Sequence, residues 1–402
     1  MIPAGWTEKK LGELCNVAIG KTPNRGSKEY WDTALQTDNT WLSIADLSFA
    51  KNKIVDTSME RISDTAVPIM TRVVKGTLLL SFKLTIGRVA FAGKDLYTNE
   101  AIAQLPIKSD VQIDKYYLYY YLSAFDYETL LKGDIKVKGK SLNKQKLNIL
   151  PVSYPSLLEQ QRIVEKLDTL FADIEKEKQI AQQNLQNAKE LFESEKKSLM
   201  QKVQHYENVH LVDLYNFIDY RGVTPNKIDT GVPLVTAKNV KMGYIDYTIK
   251  DFISEEDYLA RQSRGISKKG DILFTTEAPL GNVAIADLDK FSAGQRIITL
   301  QQYSDGKLEL SNDFYCYYMQ SDYFQTIIHS LASGATAQGI KAAKLKLVLV
   351  PLVPYQIQKE IVEKLDALHE QIQELEQIYT KQIADLDELK QAILKKAFNG
   401  EL

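Results

Sequence analysis

At 402 residues the chain is longer than one hydrophobic core usually serves, so a prior of roughly 100–200 residues per domain predicts two globular units or more. Hydrophobic residues make up 44% and charged residues 25%, ordinary values for a globular protein, and no run of about 18 apolar residues exists to span a bilayer. A formal net charge of −2 excludes a bulk-basic nucleic-acid binder, so any basic surface must be local and offset elsewhere.

The opening segment MIPAGWTEKKLGEL lacks the basic start and apolar stretch of a signal peptide, and Cys15 and Cys316 are the only cysteines. A reduced, cytoplasmic protein is expected.

In chain order, Leu11 and Leu14 form a Leu-x-x-Leu pair, followed by the turn-forming Gly20-Lys21-Thr22-Pro23-Asn24. Lys75-Gly76-Thr77-Leu78-Leu79-Leu80-Ser81 and Ile86-Gly87-Arg88-Val89-Ala90 read as strand, turn, strand. The dense aromatics of Tyr116-Tyr117-Leu118-Tyr119-Tyr120-Tyr121 are read as a core-packing helix rather than a base-stacking platform. Between Lys132 and Lys146 lies KGDIKVKGKSLNKQK, the strongest positive cluster, with Lys136, Lys138 and Lys140 near its centre. Its glycines mark a loop whose lysines can track phosphates while Asn143 or Gln145 approaches base edges. The spacing from Gly133 to Gly139-Lys140-Ser141 does not fit a phosphate-binding P-loop.

A proline-bearing stretch, Pro151 to Pro155, precedes a heptad stripe running from Ile163 through Leu167, Leu170, Ile174, Ala181, Leu185, Ala188, Phe192 and Leu199. The design then repeats at an offset of about 200 residues: Leu211 and Leu214, Arg221-Gly222-Val223-Thr224-Pro225-Asn226, Lys269 to Thr275 with Leu280 to Ala284, and Phe314-Tyr315-Cys316-Tyr317-Tyr318. Ser333 to Lys341, including Thr336, Gln338 and Lys341, is the Gly-rich counterpart of the lysine loop. Ile163-Val164-Glu165-Lys166-Leu167-Asp168 recurs letter for letter as Ile361-Val362-Glu363-Lys364-Leu365-Asp366. From there a second stripe runs through Leu368, Ile372, Leu375, Tyr379, Leu386, Leu389 and Ile393.

These elements predict an α+β fold: two globular mixed α/β domains joined by two long helices, each of about 40 residues without internal Gly or Pro. Such helices are too long and too narrowly apolar to serve one globule, so they are expected to form an antiparallel coiled coil relating the halves by a pseudo-two-fold axis. The predicted divisions are 1–155, 156–204, 205–354 and 355–402. Candidate DNA-facing residues in the first head are Lys21, Thr22, Arg25, Lys83, Arg88, Lys136, Lys138, Lys140 and Asn143. In the second they are Arg221, Thr224, Asn226, Lys238, Asn239, Arg296, Thr336, Gln338 and Lys341.

His205, His210, His329 and His369 lack metal-ligand spacing, no Gly-x-Gly-x-x-Gly loop or Asn/Asp-Pro-Pro-aromatic segment is present, and no acidic-lysine nuclease cluster stands out. The chain reads as non-enzymatic, with no catalytic, cofactor-binding or metal-binding residue.

The duplicated layout, the proline-rich closures and the segment Glu159-Gln160-Gln161-Arg162-Ile163-Val164-Glu165-Lys166-Leu167-Asp168 resemble the specificity subunits of type I restriction–modification systems across essentially the whole chain. The second copy departs with Gln358-Lys359-Glu360 before Ile361, which keeps the helix start and leaves its capping contacts open. The ending Ile393 to Leu402 is also similar to the family's.

That resemblance implies two target recognition domains, each reading half of a split site in double-stranded DNA, on helices that set the spacing and bind two methylation subunits. It also implies up to two restriction subunits, adenine methylation by partners that bind S-adenosylmethionine, and ATP and Mg in the cleavage partner. Heads on half-sites roughly 34–36 Å apart would sit about one DNA turn from each other. The competing reading is a coiled-coil adaptor whose two heads bind proteins.

Overall fold

The computed structural model describes residues 2–131, 142–222, 224–304, 306, 308–334 and 338–402. It divides into two compact units, residues 1–181 with 381–402 and residues 182–380.

In the first unit a sheet takes the order Ala18–Ile19, Ile102–Leu105, Leu78–Ser81, Val89–Ala92, Ile54–Val55. The Leu78–Ser81 strand is buried throughout, and the period-two alternation of strand side chains sends neighbours to different cores. Leu78 and Leu80 join a cluster with Tyr117, Leu118 and Leu167, whereas Leu79 joins Leu42, Val55 and Ala90. Full burial of each such leucine contributes roughly 1.5–3 kcal/mol.

The second unit repeats this plan in the order Tyr215–Asp219, Ile297–Gln302, Ile272–Thr276, Leu280–Ile285. Registers coincide: Leu79 faces Ala90 and Gln104 in one sheet, and Leu273 faces Ala284 and Thr299 in the other. The two strand–turn–strand segments read from the sequence are therefore antiparallel hairpins of equivalent sheets.

Each proline-bearing closure is a strand returning to the start of its unit. Pro151–Tyr154 pairs antiparallel with Thr7–Lys10, and Leu349–Pro351 with Asn208–His210. The Leu-x-x-Leu pairs follow as one-turn helices, Leu11–Leu14 and Leu211–Leu214, whose leucines are at most 1% exposed. Glu13 and Asp213 reach back to the backbone N–H of Lys10 and His210 at 2.8 and 3.0 Å, satisfying orphan donors at each helix start.

The aromatic runs form the helices Lys115–Ala124 and Asn312–Met319, capped by the side chains of Asp114 and Ser311. Tyr117, Tyr315 and Tyr318 are fully buried, so these rings belong to the core as expected.

The two long helices begin earlier than the stripes imply, spanning Leu157–Lys202 and Tyr355–Phe398, 46 and 44 residues. Within the first unit Lys178 pairs with Asp387 at 2.8 Å and Arg162 donates to the Leu402 carbonyl at 2.6 Å. Within the second, Lys189 pairs with Glu376 and Lys364 with Glu195. In both units one partner's number rises as the other's falls, so the helix segments run antiparallel. Of the residues read as the apolar stripes, Leu375 and Leu389 are 37% and 47% exposed, while Ile174 and Ala181 in the first unit and Ile372 in the second are buried, as is Leu394 next to the predicted Ile393. No helix among the described residues is long and apolar enough to cross a membrane.

Gln160, fully buried, locks the first long helix to its globule: its amide oxygen accepts from Asp114 N at 2.8 Å and its amide nitrogen donates to Pro155 O at 2.9 Å. Gln358 does the same with Ser311 N and Val353 O, both at 2.7 Å. The altered second copy of the helix start thus keeps its clamp.

Candidate nucleic-acid interface

The Gly20-Lys21-Thr22-Pro23-Asn24 loop is fixed to one end of the first sheet. Lys21 N bonds Thr98 O at 2.8 Å, and a Cβ on Gly20 would stand 2.2 Å from the Thr98 and Asn99 carbonyls, so only glycine permits this approach. Trp41 Nε1 donates to Lys21 O at 3.0 Å and holds the loop from its other side.

This anchoring places Thr22, Arg25 and Lys83 around Glu100. Burial opposes the Glu100 charge, but the Thr22 hydroxyl, its own backbone N–H, Lys83 and Arg25 prevail and hold its carboxyl below the ordinary range. Arg25 lies over the rings of Trp31 and Trp41, 4.1 and 4.7 Å from their centroids, while its guanidinium grips Glu60. The pairing with Glu60 raises the Arg25 pKa above its ordinary value. The result is a half-exposed guanidinium held against two indoles and Glu60, a fixed cation able to face phosphate.

The described end of the lysine-rich segment meets this cluster: Leu142 N donates to Phe82 O at 2.9 Å, next to Lys83. Lys136, Lys138 and Lys140 lie outside the described residues. Asn143 is exposed, but its side chain caps the helix Lys144–Asn148 by accepting from Lys146 N at 2.8 Å, so that acceptor is engaged.

The second unit builds the counterpart from different side chains. Thr224 meets Gln295 at 2.5 Å, and Arg296 pairs with Glu277 at 3.1 Å. Ile340 N donates to Thr276 O at 3.0 Å, as Leu142 does to Phe82, and Gly339 packs on Glu277, bringing exposed Gln338 to the same edge. Lys341 is exposed at the start of Ala342–Lys346, and Thr336 lies outside the described residues. Arg221 forks onto Asp219 at 2.6–3.0 Å, while Asn226 and Lys238 are exposed.

One expectation is corrected. Asn239 is 2% exposed and its amide is consumed internally, accepting from Thr236 and donating to the carbonyls of Asp246 and Ile249; it shapes a loop and offers nothing to a base. Arg88 is half-buried, and one of its guanidinium nitrogens donates to Ile44 O at 3.2 Å.

Sequence reasoning missed Trp31, Trp41, Glu60, Glu100 and Gln295. For the tryptophans a signal existed, since two of only three in the chain lie close after Arg25. For Asn239 the signal was Thr236-x-x-Asn239 matching Ser43-x-x-Asp46, whose buried Asp46 makes the same turn.

The family model described as "Type I restriction modification DNA specificity domain" matches residues 3–183 and again 189–384, so the chain belongs to this family and carries the domain twice. A relative from Methanocaldococcus jannaschii, the type I restriction enzyme MjaIX specificity subunit, is 25% identical over 439 residues, covering 100% of this chain and 94% of its own. In fold, the chain is similar to the HsdS subunit from Thermoanaerobacter tengcongensis, with a TM-score of 0.57, 18% identity and coverage of 100% and 98%. A chain from a structure of a type I R-M system, described for its complex assembly and conformational transition, gives a TM-score of 0.72 at 19% identity and covers 100% of both chains.

Proposed function

We propose that this chain is the DNA-reading, non-catalytic subunit of a type I restriction–modification complex, each head recognising one half of a split site in double-stranded DNA. The observation that carries the reading is the duplicated edge itself. Thr22 bonds Glu100 in one unit and Thr224 bonds Gln295 at the equivalent place in the other, and around this kept contact the side chains differ: Lys83 corresponds to Glu277, Arg25 to Lys227, and Ala101 to Arg296. A shared scaffold carrying divergent polar groups is what two heads with two half-sites require. Lysine and arginine supply phosphate affinity, and amides supply contacts to base edges.

Two methylation subunits and up to two restriction subunits complete the assembly in the cytoplasm. Exposed apolar side chains on the long helices, Leu191 at 57%, Ile378 at 58% and Leu389 at 47%, support helical partners packing there. S-adenosylmethionine belongs to the methylation partners, and ATP with Mg to the cleavage partners. Methylation of an adenine requires the base to leave the duplex, so the heads also hold opened DNA.

Co-expression with the adjacent methylation subunit, followed by long-read mapping of modified adenines, tests this. A two-part motif with a fixed gap is expected; a stable, active complex that leaves no such motif overturns it.

A further inference from the structure

In the first unit Lys53 is held at φ 68°, and from there its ammonium reaches Asp168 at 2.7 Å and stands 5.2 Å from the Tyr120 ring centroid. The Tyr120 hydroxyl donates to the same carboxylate. Phe91 fills the adjoining space against Tyr116 and Tyr119, with ring centroids 5.3 and 5.6 Å away.

The second unit has the same backbone and different contents. Lys51 N bonds Ile54 O, and Lys241 N bonds Tyr244 O, each at 2.9 Å, which makes Gly243, at φ 89°, the equivalent of Lys53. Strand register makes Ile285 the equivalent of Phe91. Counting from the caps Asp114 and Ser311, Tyr116, Tyr119 and Tyr120 correspond to Asp313, Cys316 and Tyr317. Tyr317 still donates to Asp366, at 2.7 Å, as Tyr120 does to Asp168. A lysine, a phenylalanine and two tyrosines have thus given way to glycine, isoleucine, aspartate and cysteine, and a cleft of about 510 Å³ stands there. That is the size of a small-molecule site.

Neither lysine of the cleft pairs with Asp313 or Asp366. Its lysines are engaged, Lys196 with Glu193 at 2.8 Å and Lys189 with Glu376 at 3.2 Å. Its histidine, His369, rests on the Phe192 ring at 5.4 Å and meets Gln373. Asp313 and Asp366 remain, with no ion pair among the described residues. Burial and the neighbouring Asp366 charge push the Asp313 carboxyl above its ordinary value, the response of an acid short of a counter-charge. Met242, Ile285 and Phe192 offer an apolar wall.

We infer that this cleft binds an aliphatic amine, whose ammonium takes the place beside Asp366 and Tyr317 that Lys53 takes beside Asp168 and Tyr120. The three ammonium protons have Asp366, Asp313 and solvent as acceptors, and the methylenes lie on the apolar wall.

Calorimetric titration of the full chain without DNA, at fixed ionic strength, uses cadaverine as probe and 1-pentanol as its uncharged control. Saturable one-site binding of cadaverine and none of pentanol are expected. Asp366→Asn removes the charge and keeps an acceptor for Tyr317, and Gly243→Lys restores the tethered ammonium of the first unit. Each should weaken cadaverine at least about tenfold, with the fold checked by circular dichroism. Should Gly243→Lys fail to fold, Cys316→Tyr, which restores the first unit's tyrosine, replaces it. Cadaverine binding no tighter than pentanol, or equally tight in Asp366→Asn, overturns the inference.

Discussion

Gln295 Nε2 meets the Thr224 hydroxyl at 2.5 Å, and at the equivalent place in the first unit the Thr22 hydroxyl donates to Glu100. One contact is kept with a carboxylate in one head and an amide in the other. Glu100 offsets Lys83 and Arg25, so Glu100→Gln should raise non-specific duplex affinity of the assembled complex about fivefold in dilute salt, with the gain shrinking as salt screens it. Fluorescence anisotropy across a salt series measures this; an unchanged affinity would detach Glu100 from the binding face.

Gln160 carries three hydrogen bonds while fully buried. Gln160→Leu leaves Asp114 N and the Pro155 carbonyl without partners in the interior, a cost of about 2–4 kcal/mol. Urea unfolding should show the first unit's transition moving to lower denaturant, with Gln358→Leu doing the same to the second. A loss under about 0.5 kcal/mol in both would mean the clamp is incidental.

Much of this was legible beforehand because duplication and periodicity are local signals. Leu11, Leu14, the hairpin at Leu78–Ala92 and the tyrosine helices fell where spacing placed them. The clamp and the Asn239 turn were not, because their partners stand up to 48 residues away or are backbone carbonyls that no side-chain pattern reveals. Asn239 looks like a base reader and Gln160 like a surface residue until the fold closes around them. The Arg25 plane was half legible: its charge was visible, while the indoles and Glu60 that orient it arrive through tertiary packing.

Burial pushes the thiols of Cys15 and Cys316 up to about 12. Both should resist iodoacetamide at pH 8 in the native chain and react fully in denaturant, read by intact mass. The sign of the linkage follows: folded values above the unfolded one, roughly 8.5, give a stabilisation complete below that pH and lost as pH rises toward about 12. Alkaline melts should therefore soften above about pH 9; prompt native alkylation of either thiol contradicts its burial.

Lys189 with Glu376 is an exposed ion pair, whereas in Lys178 with Asp387 the lysine is mostly covered, so the reversal Lys178→Asp should cost about 1 kcal/mol, the upper end for such pairs. Adding Asp387→Lys should recover most of it in thermal unfolding. A double reversal no better than the single would show that the pair does not couple.

Those pairs also encode a preference of company. Counted along the repeat, Lys178 and Glu376 are the same position, as are Lys189 and Asp387, yet each position holds opposite signs in the two long helices. A helix lying antiparallel on a second copy of itself would set Lys178 against Lys189, or Glu376 against Asp387, like against like. The charge pattern of the two helices thus favours the sibling over the twin by a small margin at each of these positions, which turns an ancestral symmetry into a bias in pairing.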